Sequence, residues 1–439
     1  MITIGLDVGT TTISGVVFDS EKNAMLATRT IPNTSQIISD QPWEDLQDAA
    51  KIWAICQELL DGYYKEFPSV SYIGLTGQMH GILYIDQNGE PISPLVTWQD
   101  ARGNLSFQNG ESYAKILTRQ SGYPMATGFG LTTHFFNLQN EAVPEKAAAI
   151  CTIADYIGMR LCGLERPVMH ASNAHSLGMF DLEKGQFDRD AIEQAGINGK
   201  ILPAVLDGEK VIGKTAEGIA VCGAIGDNQA SFLGATEGKS NMLVNIGTSS
   251  QLSVRSKTLV HSMGLDTRPY LHGEYLLVGA GLCGGSAYAV LRGLFAQVLD
   301  LYGIQAKTDL YQKMSEAAKT AMEEQNPLHF DTRMRGTRIA PDIRGAITQI
   351  GTENFTVGHL ALGVMRGICE ELYGFYKLVP KNACDDEIII GSGNALRKNA
   401  VLRETLARQF RKYVQLSPFE EEAALGASLI AQNPAIRPD

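Results

Sequence analysis

The chain has 439 residues, 44% of them hydrophobic, and a formal net charge of -11. This length exceeds what one core usually organises, so we expect two domains. The acidic balance, without a basic tract, argues against nucleic-acid binding, and no apolar run is long enough to span a membrane. Because the sequence opens on a strand pattern rather than on a basic and apolar leader, we expect a cytoplasmic protein with no membrane partner.

Seven cysteines are scattered along the chain and form no Cys-x-x-Cys pair. An odd, unpatterned set argues against both a disulfide framework and a zinc site. We therefore expect reduced cysteines in the core.

The first predicted element is a hairpin over residues 4–19, in which two apolar runs flank a Gly-Thr turn. Gly9 can expose its N–H group, and Thr10 and Thr11 add hydroxyl donors, so the turn suits phosphate oxygens. Asp7, at the mouth of the turn, would hold Mg²⁺ through water. An ordinary hairpin with an Asp-initiated turn is the alternative.

Two clusters then combine hydrogen-bonding side chains with one large hydrophobe. They are Gln78, Met79 and His80 in the first, and Trp98, Asp100 and Arg102 in the second. This mixture suits a sugar, whose hydroxyl groups need polar partners and whose C–H faces pack on Trp or Met. A buried histidine and a core tryptophan are the structural alternatives.

The next candidate is Asp227, which follows an apolar strand pattern and Gly226 and precedes a helix rich in small residues. Asp227 is a candidate catalytic base. It is also a candidate helix N-cap, and the two roles are compatible because a cap fixes the direction of the carboxylate.

A second strand-turn-strand pattern covers residues 243–252 and carries the turn Gly247-Thr248, so the two halves of the chain resemble each other. A polar, glycine-rich stretch at 234–240 is the candidate domain boundary. Further on, Gly391-Ser-Gly393-Asn394 joins a buried strand to a helix, and its bare backbone would let adenine or ribose approach closely. A tight turn without a ligand is the alternative.

Long helical patterns lie between the strands, over residues 42–64, 286–301, 357–378 and 395–413. Alternating strands and helices predict an α/β architecture.

Two further motif matches are interpreted as coincidental. Residues 208–215 fit the Walker A pattern, but a strand-like run follows where a P-loop needs a helix. Residues 279–284, with Asp300 downstream, imitate a dinucleotide fingerprint, but no second βαβ unit accompanies them. We expect the first to be a surface turn and the second to be a helix entry beside a nucleotide cleft.

Together, in this order along the chain, these motifs resemble the FGGY carbohydrate kinases. The resemblance implies two ribonuclease H-like domains of the actin/hexokinase superfamily flanking an ATP/sugar cleft, residues 1–234 for sugar and phosphate and 235–439 for ATP. It implies ATP and Mg²⁺ as cofactors and phosphoryl transfer to a ketose. Within the family, segments 95–100, 127–130, 155–156 and 161–167 look like sedoheptulokinase, and the xylulokinases are the nearest competing reading.

The resemblance also implies the role of each candidate residue. Asp227 would be the catalytic base and contact the sugar, Asp7 would hold the metal, and His80 and Asp100 would be the main hydroxyl-recognising groups. The phosphates and nucleotide would be bound by Gly9, Thr10, Thr11, Gly247, Thr248, Gly391, Gly393 and Asn394; the sugar by Gln78, Met79, His80, Trp98, Asp100 and Arg102.

Other functions stay open at this point: another pentulose or polyol kinase, a dehydrogenase built on residues 279–284, or a non-catalytic sugar- or nucleotide-binding regulator. Thr133-His134-Phe135-Phe136 stands where many family members have a Lys-Leu-x-Trp run, which leaves the sugar undetermined. A homodimer is left open as the oligomeric state.

Overall fold

The computed structural model describes residues 1–305, 308–324, 326–337, 340, 342–384 and 386–432. The chain divides into two units. The first comprises Met1–Gly234, Arg268–Glu274 and Phe419–Asp439, and the second comprises Ala235–Thr267 and Tyr275–Pro418. Within the described ranges, no helix has the length and apolar character needed to cross a membrane.

Strands and helices alternate along the first half of the chain. The strands are β1 (Ile2–Val8), β2 (Thr12–Asp19), β3 (Ala24–Pro32), β4 (Gln36–Ile37), β5 (Leu46–Gln47), β6 (Val70–Gly77), β7 (Leu83–Ile85), β8 (Leu95–Val96), β9 (Ala149–Cys151), β10 (Val168–Met169), β11 (Phe180–Asp181), β12 (Gln186–Phe187), β13 (Ala204–Val205), β14 (Val211–Lys214), β15 (Ala220–Cys222) and β16 (Ile225–Gly226). The helices are α1 (Ala49–Glu66), α2 (Tyr113–Ser121), α3 (Gly130–Gln139), α4 (Ile153–Leu161), α5 (Ala171–Leu177), α6 (Arg189–Gln194) and α7 (Asp227–Thr236).

The second half continues the alternation. Its strands are β17 (Met242–Ile246), β18 (Ser250–Ser256), β19 (Asp266–Pro269), β20 (Tyr275–Gly281), β21 (His329–Asp331), β22 (Ala346–Thr348), β23 (Ile388–Ser392) and β24 (Tyr413–Leu416). Its helices are α8 (Gly285–Leu301), α9 (Leu310–Ala321), α10 (Val357–Tyr376), α11 (Asn394–Lys398), α12 (Ala400–Phe410) and α13 (Glu422–Ile430).

The main sheet of the first unit has the order β14-β15-β6-β1-β2-β3, with β16 also paired to β6. Strands β1, β2 and β3 form an antiparallel meander, which confirms the predicted hairpin, and β6 runs parallel to β1. Alternate residues of β1 and β2, such as Ile4, Leu6 and Ile13, are fully buried in the core beside this sheet.

The sheet of the second unit repeats this plan. Strands β17, β18 and β20 form an antiparallel meander, and β23 and β24 continue the sheet in parallel with β17. The order β20-β18-β17-β23-β24 therefore matches β3-β2-β1-β6-β15 strand for strand. This repeated meander with parallel strands added beside it is the actin/hexokinase-like α/β fold that the sequence predicts.

Two predicted helices have different bounds in the structure. Helix α1 begins seven or so residues later than expected because β5 occupies the start of the predicted range, and the Asp48 carboxylate caps α1 by accepting from the Ala50 and Lys51 N–H groups. The predicted helix 395–413 is broken at Asn399, whose extended backbone ends α11 and whose side chain caps α12.

The C-terminal helix α13 belongs to the first unit, although the sequence prediction placed residues 235–439 together. Two glycines let α13 lie directly on the sheet. A Cβ on Gly5 of β1 would stand 1.8 Å from the Ala424 carbonyl oxygen, and one on Gly74 of β6 would stand 1.7 Å from that of Ala427. Chain order does not reveal such a return contact.

The Walker-like segment is not a P-loop. Residues 211–214 form β14, a turn with Gly218 at φ +83° follows, and β15 pairs antiparallel to β14. Since no helix follows the motif, the interpretation of a coincidental match is confirmed, but the expected surface turn is wrong, because half of the motif is strand β14. All seven cysteines are thiols outside any disulfide, and six of them are buried.

Candidate active site

Two carboxylates of the first unit are brought together by strand register. Asp7 of β1 pairs with Thr76 of β6, and Thr76 also pairs with Ile225 of β16. Asp227 opens α7 immediately after β16, so it emerges at the same edge of the sheet as Asp7. As the first residue of the helix, Asp227 also benefits from the helix dipole.

The environment raises the pKa of both carboxyl groups. Burial raises the pKa of Asp7 to about 7, and the negative charges of Asp227 and Glu421 add to the rise. Burial also raises the pKa of Asp227 to about 6, against the positive charge of Arg268 and a hydrogen bond from the Asn228 backbone N–H. Two acidic groups that disfavour each other's ionisation mark a candidate functional site.

The pair fits a divalent cation. The Oδ1 atom of Asp7 is buried and has no hydrogen-bond partner among the described residues. A hard cation would satisfy this oxygen and remove the repulsion between the two carboxylates. No group of three or more His, Cys, Asp or Glu side chains arranged to hold a metal occurs in the described ranges.

The turn between β1 and β2 is held by its neighbours. The Thr10 hydroxyl donates to Gln78 Oε1 at 3.2 Å and accepts from Trp98 Nε1 at 3.1 Å. Gln47 donates to the Thr10 carbonyl oxygen and accepts from Gln78 Nε2, both at 2.8 Å. The hydroxyl of Thr10 is thus engaged, whereas Thr11 is exposed and faces solvent.

The first candidate sugar-binding cluster leads from β6 towards Asp227. Met79 is 4% exposed, and a Cβ on Gly226 would stand 2.7 Å from its sulfur atom. The thioether therefore lies against the residue that precedes Asp227. Gln78 is also buried, at 3% exposure, within the network of the Thr10 turn.

His80 is held in an unusual conformation. Its φ of +71° is rare for a residue other than glycine, and its ring stacks on Phe129 with centroids 4.9 Å apart. Nδ1 lies 2.8 Å from the Ser176 carbonyl oxygen, so Nδ1 carries a proton and donates it there. Strained backbone of this kind is typical of functional sites.

The second cluster is divided in the structure. Trp98 is 47% exposed and its indole N–H contacts Thr10. Asp100 and Arg102 instead form a buried ion pair, with Asp100 Oδ1 accepting from Arg102 Nε at 2.7 Å and Oδ2 from Nη2 at 3.0 Å. Asp100 also accepts from the backbone N–H groups of Arg102 and Asp45.

This ion pair contradicts the expectation that Asp100 and Arg102 present themselves to sugar hydroxyls. Asp100 is 0% exposed and all its acceptor directions are used, while Arg102 is 6% exposed and also donates to Asn137 at 2.7 Å. A carboxylate and a guanidinium two residues apart satisfy each other when both are buried, which residue types alone cannot reveal.

Three turns meet in the second unit. The Gly247-Thr248-Ser249 turn joins β17 to β18 and accepts at the Gly247 and Thr248 carbonyl oxygens from the N–H groups of Gly285 and Gly284, at 2.8 and 3.0 Å. The start of α8 therefore lies against this turn. Residues 279–284 end a strand of an antiparallel meander and enter a helix, as expected, rather than forming a βαβ dinucleotide site.

The turn after β23 completes this group. Gly393 has φ +87°, and a Cβ there would stand 2.5 Å from the Ile246 carbonyl oxygen, next to Gly247. Asn394 begins α11, and Gly391 lies in β23 beside Leu396. Glycine backbone in these adjoining turns allows phosphate and ribose groups to approach closely.

The comparisons with known proteins agree with this arrangement. The N-terminal domain of the FGGY family of carbohydrate kinases matches residues 2–234, and the C-terminal domain of that family matches residues 242–432. The chain belongs to the FGGY family of carbohydrate kinases. It is therefore an ATP-dependent sugar kinase, with ATP as co-substrate.

Among the relatives of this FGGY kinase is a sedoheptulokinase from Mus musculus. The two sequences are 29% identical in an alignment of 469 positions, gaps included, which covers 98% of this chain and 97% of that protein. Solved structures with the same fold include a xylulose kinase from Rhodospirillum rubrum, with TM-score 0.83 and 21% identity over 98% of this chain and 89% of that one. A gluconate kinase from Lactobacillus acidophilus gives TM-score 0.82 and 22% identity over 98% and 88%.

Sequence reasoning missed several contributors to the site of this FGGY kinase. Gln47 orders the Thr10 turn, Phe129 stacks on His80, and Arg268 faces Asp227. Gln47 and Arg268 lie outside any recognisable motif and gave no signal.

Proposed function

We propose that this FGGY kinase transfers the γ-phosphoryl group of ATP to a hydroxyl of a ketose, and that the ketose is sedoheptulose, giving sedoheptulose 7-phosphate. The observation that carries the transfer step is the pair Asp7 and Asp227, two adjacent carboxylates with raised pKa values at the edge of one sheet. A group with a pKa of about 6 is well suited to accept a proton near neutral pH.

Asp227 is the proposed base, which accepts the proton of the attacking sugar hydroxyl. Phosphoryl transfer depends mostly on positioning and charge stabilisation, so the direction of this carboxylate matters as much as its basicity. Its position at the start of α7 orients the carboxylate, and the positive charge of Arg268 favours its ionised form against the effect of burial.

Asp7 is the proposed holder of Mg²⁺. When bound, the ion neutralises charge on the phosphates. Gly9, Thr10 and Thr11 contribute the phosphate-binding turn of the first unit, in which Thr11 provides the free hydroxyl and Thr10 fixes the turn. Gly247, Thr248, Gly391, Gly393 and Asn394 are the proposed nucleotide-binding residues of the second unit.

The proposed sugar contacts are Gln78, Met79, His80, Trp98 and Asp227. Asp100 and Arg102 are assigned to holding the loop that carries Trp98, because both are buried in their mutual ion pair.

Two observations support sedoheptulose. The sedoheptulokinase relative aligns over nearly the whole of both chains. In addition, segment 127–130 lies beside the proposed sugar contacts: Phe129 stacks on His80, and Gly128 has φ +82° where a Cβ would stand 2.2 Å from the Trp98 carbonyl oxygen. Segment 161–167 lies elsewhere, with Arg166 donating to Ala148 and Lys200 carbonyl oxygens, and gives no such support.

A coupled ADP-release assay across ketoses tests the proposal. Sedoheptulose should give the highest kcat/KM, because a pocket sized for seven carbons leaves a shorter sugar poorly positioned against Asp227. A kcat/KM for xylulose or ribulose clearly above that for sedoheptulose would overturn the substrate assignment and leave the kinase in place. The homodimer stays a prediction, for which sedimentation velocity is the test.

A further inference from the structure

A buried set of contacts connects Glu209 to the backbone just before Asp227. His170 is 2% exposed, its Nδ1 lies 2.8 Å from Ser172 Oγ, and its Nε2 lies 3.8 Å from Glu209 Oε1. Ser172, at 0% exposure, accepts at Oγ from the Gly226 N–H at 2.9 Å. The contacts therefore end on the Ile225–Gly226 peptide of β16, one residue before the proposed base.

The hydrogen bonds define the tautomer of His170. The Ser172 backbone N–H donates to His170 Nδ1 at 3.2 Å, so Nδ1 is an acceptor. Nδ1 therefore also accepts the hydrogen bond from the Ser172 hydroxyl. Nε2 then carries the ring proton and directs it towards Glu209. Ser172 Oγ, whose proton points to His170, keeps a lone pair free for the Gly226 N–H.

Glu209 also holds a second element that faces Asp227. Its Oε1 accepts from the His272 backbone N–H at 2.8 Å, and its Oε2 lies 3.3 Å from His272 Nδ1. His272 belongs to the segment Arg268–Glu274, whose first residue provides the positive charge beside Asp227. Gln229 of α7 donates to the Pro269 carbonyl oxygen of the same segment at 2.8 Å.

Glu209 is a carboxylate in this setting. Burial alone would raise its pKa, but the contacts with His170 and with the His272 N–H lower the pKa to about 2. A side chain that is 6% exposed and charged is costly unless its partners are fixed. Glu209 is the second residue of the Walker-like match that was interpreted as coincidental, and that motif does not indicate a positioning role for it.

We infer that Glu209 is a positioning residue for the proposed base: one carboxylate fixes both the Ile225–Gly226 peptide just before Asp227, through His170 and Ser172, and the segment that presents Arg268. This inference rests on the proposed role of Asp227. Misplacement of a base by a fraction of an ångström slows the chemical step more than it weakens binding.

Steady-state kinetics of four variants test the inference. Glu209→Ala and Ser172→Ala should each lower kcat by about tenfold or more while the KM values for ATP and the ketose stay within about twofold. Glu209→Gln keeps an oxygen that accepts from the His272 N–H, so it should retain most of kcat. Glu58→Ala, an exposed glutamate of α1, is the matched control and should behave as wild type.

The double variant Glu209→Ala/Ser172→Ala should be no slower than the slower single variant, because both act through one set of contacts. Wild-type kcat in Glu209→Ala and Ser172→Ala would overturn the inference, as would a loss that appears only in KM. If Glu209→Ala is not recovered folded, Ser172→Ala decides by the same criterion. Asp227→Asn measured in parallel separates the two proposals: an inactive Asp227→Asn beside unaffected positioning variants overturns only the positioning role, and an active Asp227→Asn overturns both.

Discussion

Replacing Asp100 by asparagine removes one partner of a buried ion pair rather than a sugar contact. The asparagine would place an NH₂ group against the donors of Arg102, which are 2.7 and 3.0 Å from the native carboxylate. Arg102 would keep Asn137 at 2.7 Å and Glu44 at 3.6 Å as its polar partners. Breaking a buried pair on one side costs about 3–5 kcal/mol of unfolding free energy.

A loss of this size is readily measured. For a folding unit as large as the first one, it lowers Tm by about 6–20 °C, which thermal unfolding followed by circular dichroism detects. Below the new Tm, the KM for the ketose should change little. His80→Ala is the opposite case, with Tm near wild type and a raised KM for the ketose. An Asp100→Asn variant that unfolds at the wild-type temperature but has a raised KM for the ketose would refute the structural role of Asp100.

Three further variants test separate parts of the site. Without Mg²⁺, Asp7→Asn should raise Tm at pH 8. The folded-state pKa of Asp7 is about 7 instead of 3.8, so the wild type loses stability as pH rises between these values, and the amide has no such penalty. An unchanged Tm, or Mg²⁺ stabilisation equal to that of the wild type, would count against the metal assignment. Phe129→Ala releases His80 from its stacked position and should raise the KM for the ketose but not for ATP, and equal changes in both would contradict the sugar assignment. Lys214→Ala, in the exposed end of β14, should leave the KM for ATP unchanged, and a large increase in a folded variant would restore the Walker interpretation.

Elements with strong local signals could be predicted from the sequence. The meander strands β1 and β2 are apolar runs on either side of a Gly-Thr turn, and a similar strand-turn-strand pattern recurs in β17 and β18. These patterns depend on neighbouring residues only. The rejection of the Walker-like match succeeded for the same reason, since the strand after it is visible in the sequence.

Contacts between distant segments could not be predicted. The return of α13 to β1 depends on Gly5 and on a helix more than 400 positions later, and the sequence records no link between them. The ion pair of Asp100 and Arg102 looks in sequence like two free polar groups, and only burial shows that they satisfy each other. Burial is a property of the whole fold, so local pattern does not specify it.

The most direct test of the proposed mechanism is a single-turnover transfer from γ-labelled ATP to sedoheptulose by wild type and Asp227→Asn. The amide keeps the shape of Asp227 but cannot accept a proton, so the transfer rate should fall by about a thousandfold or more. The dissociation constants for ATP and the sugar, measured by calorimetry, should stay within a few fold. Labelled sedoheptulose phosphate formed at the wild-type rate by Asp227→Asn would contradict the proposed base.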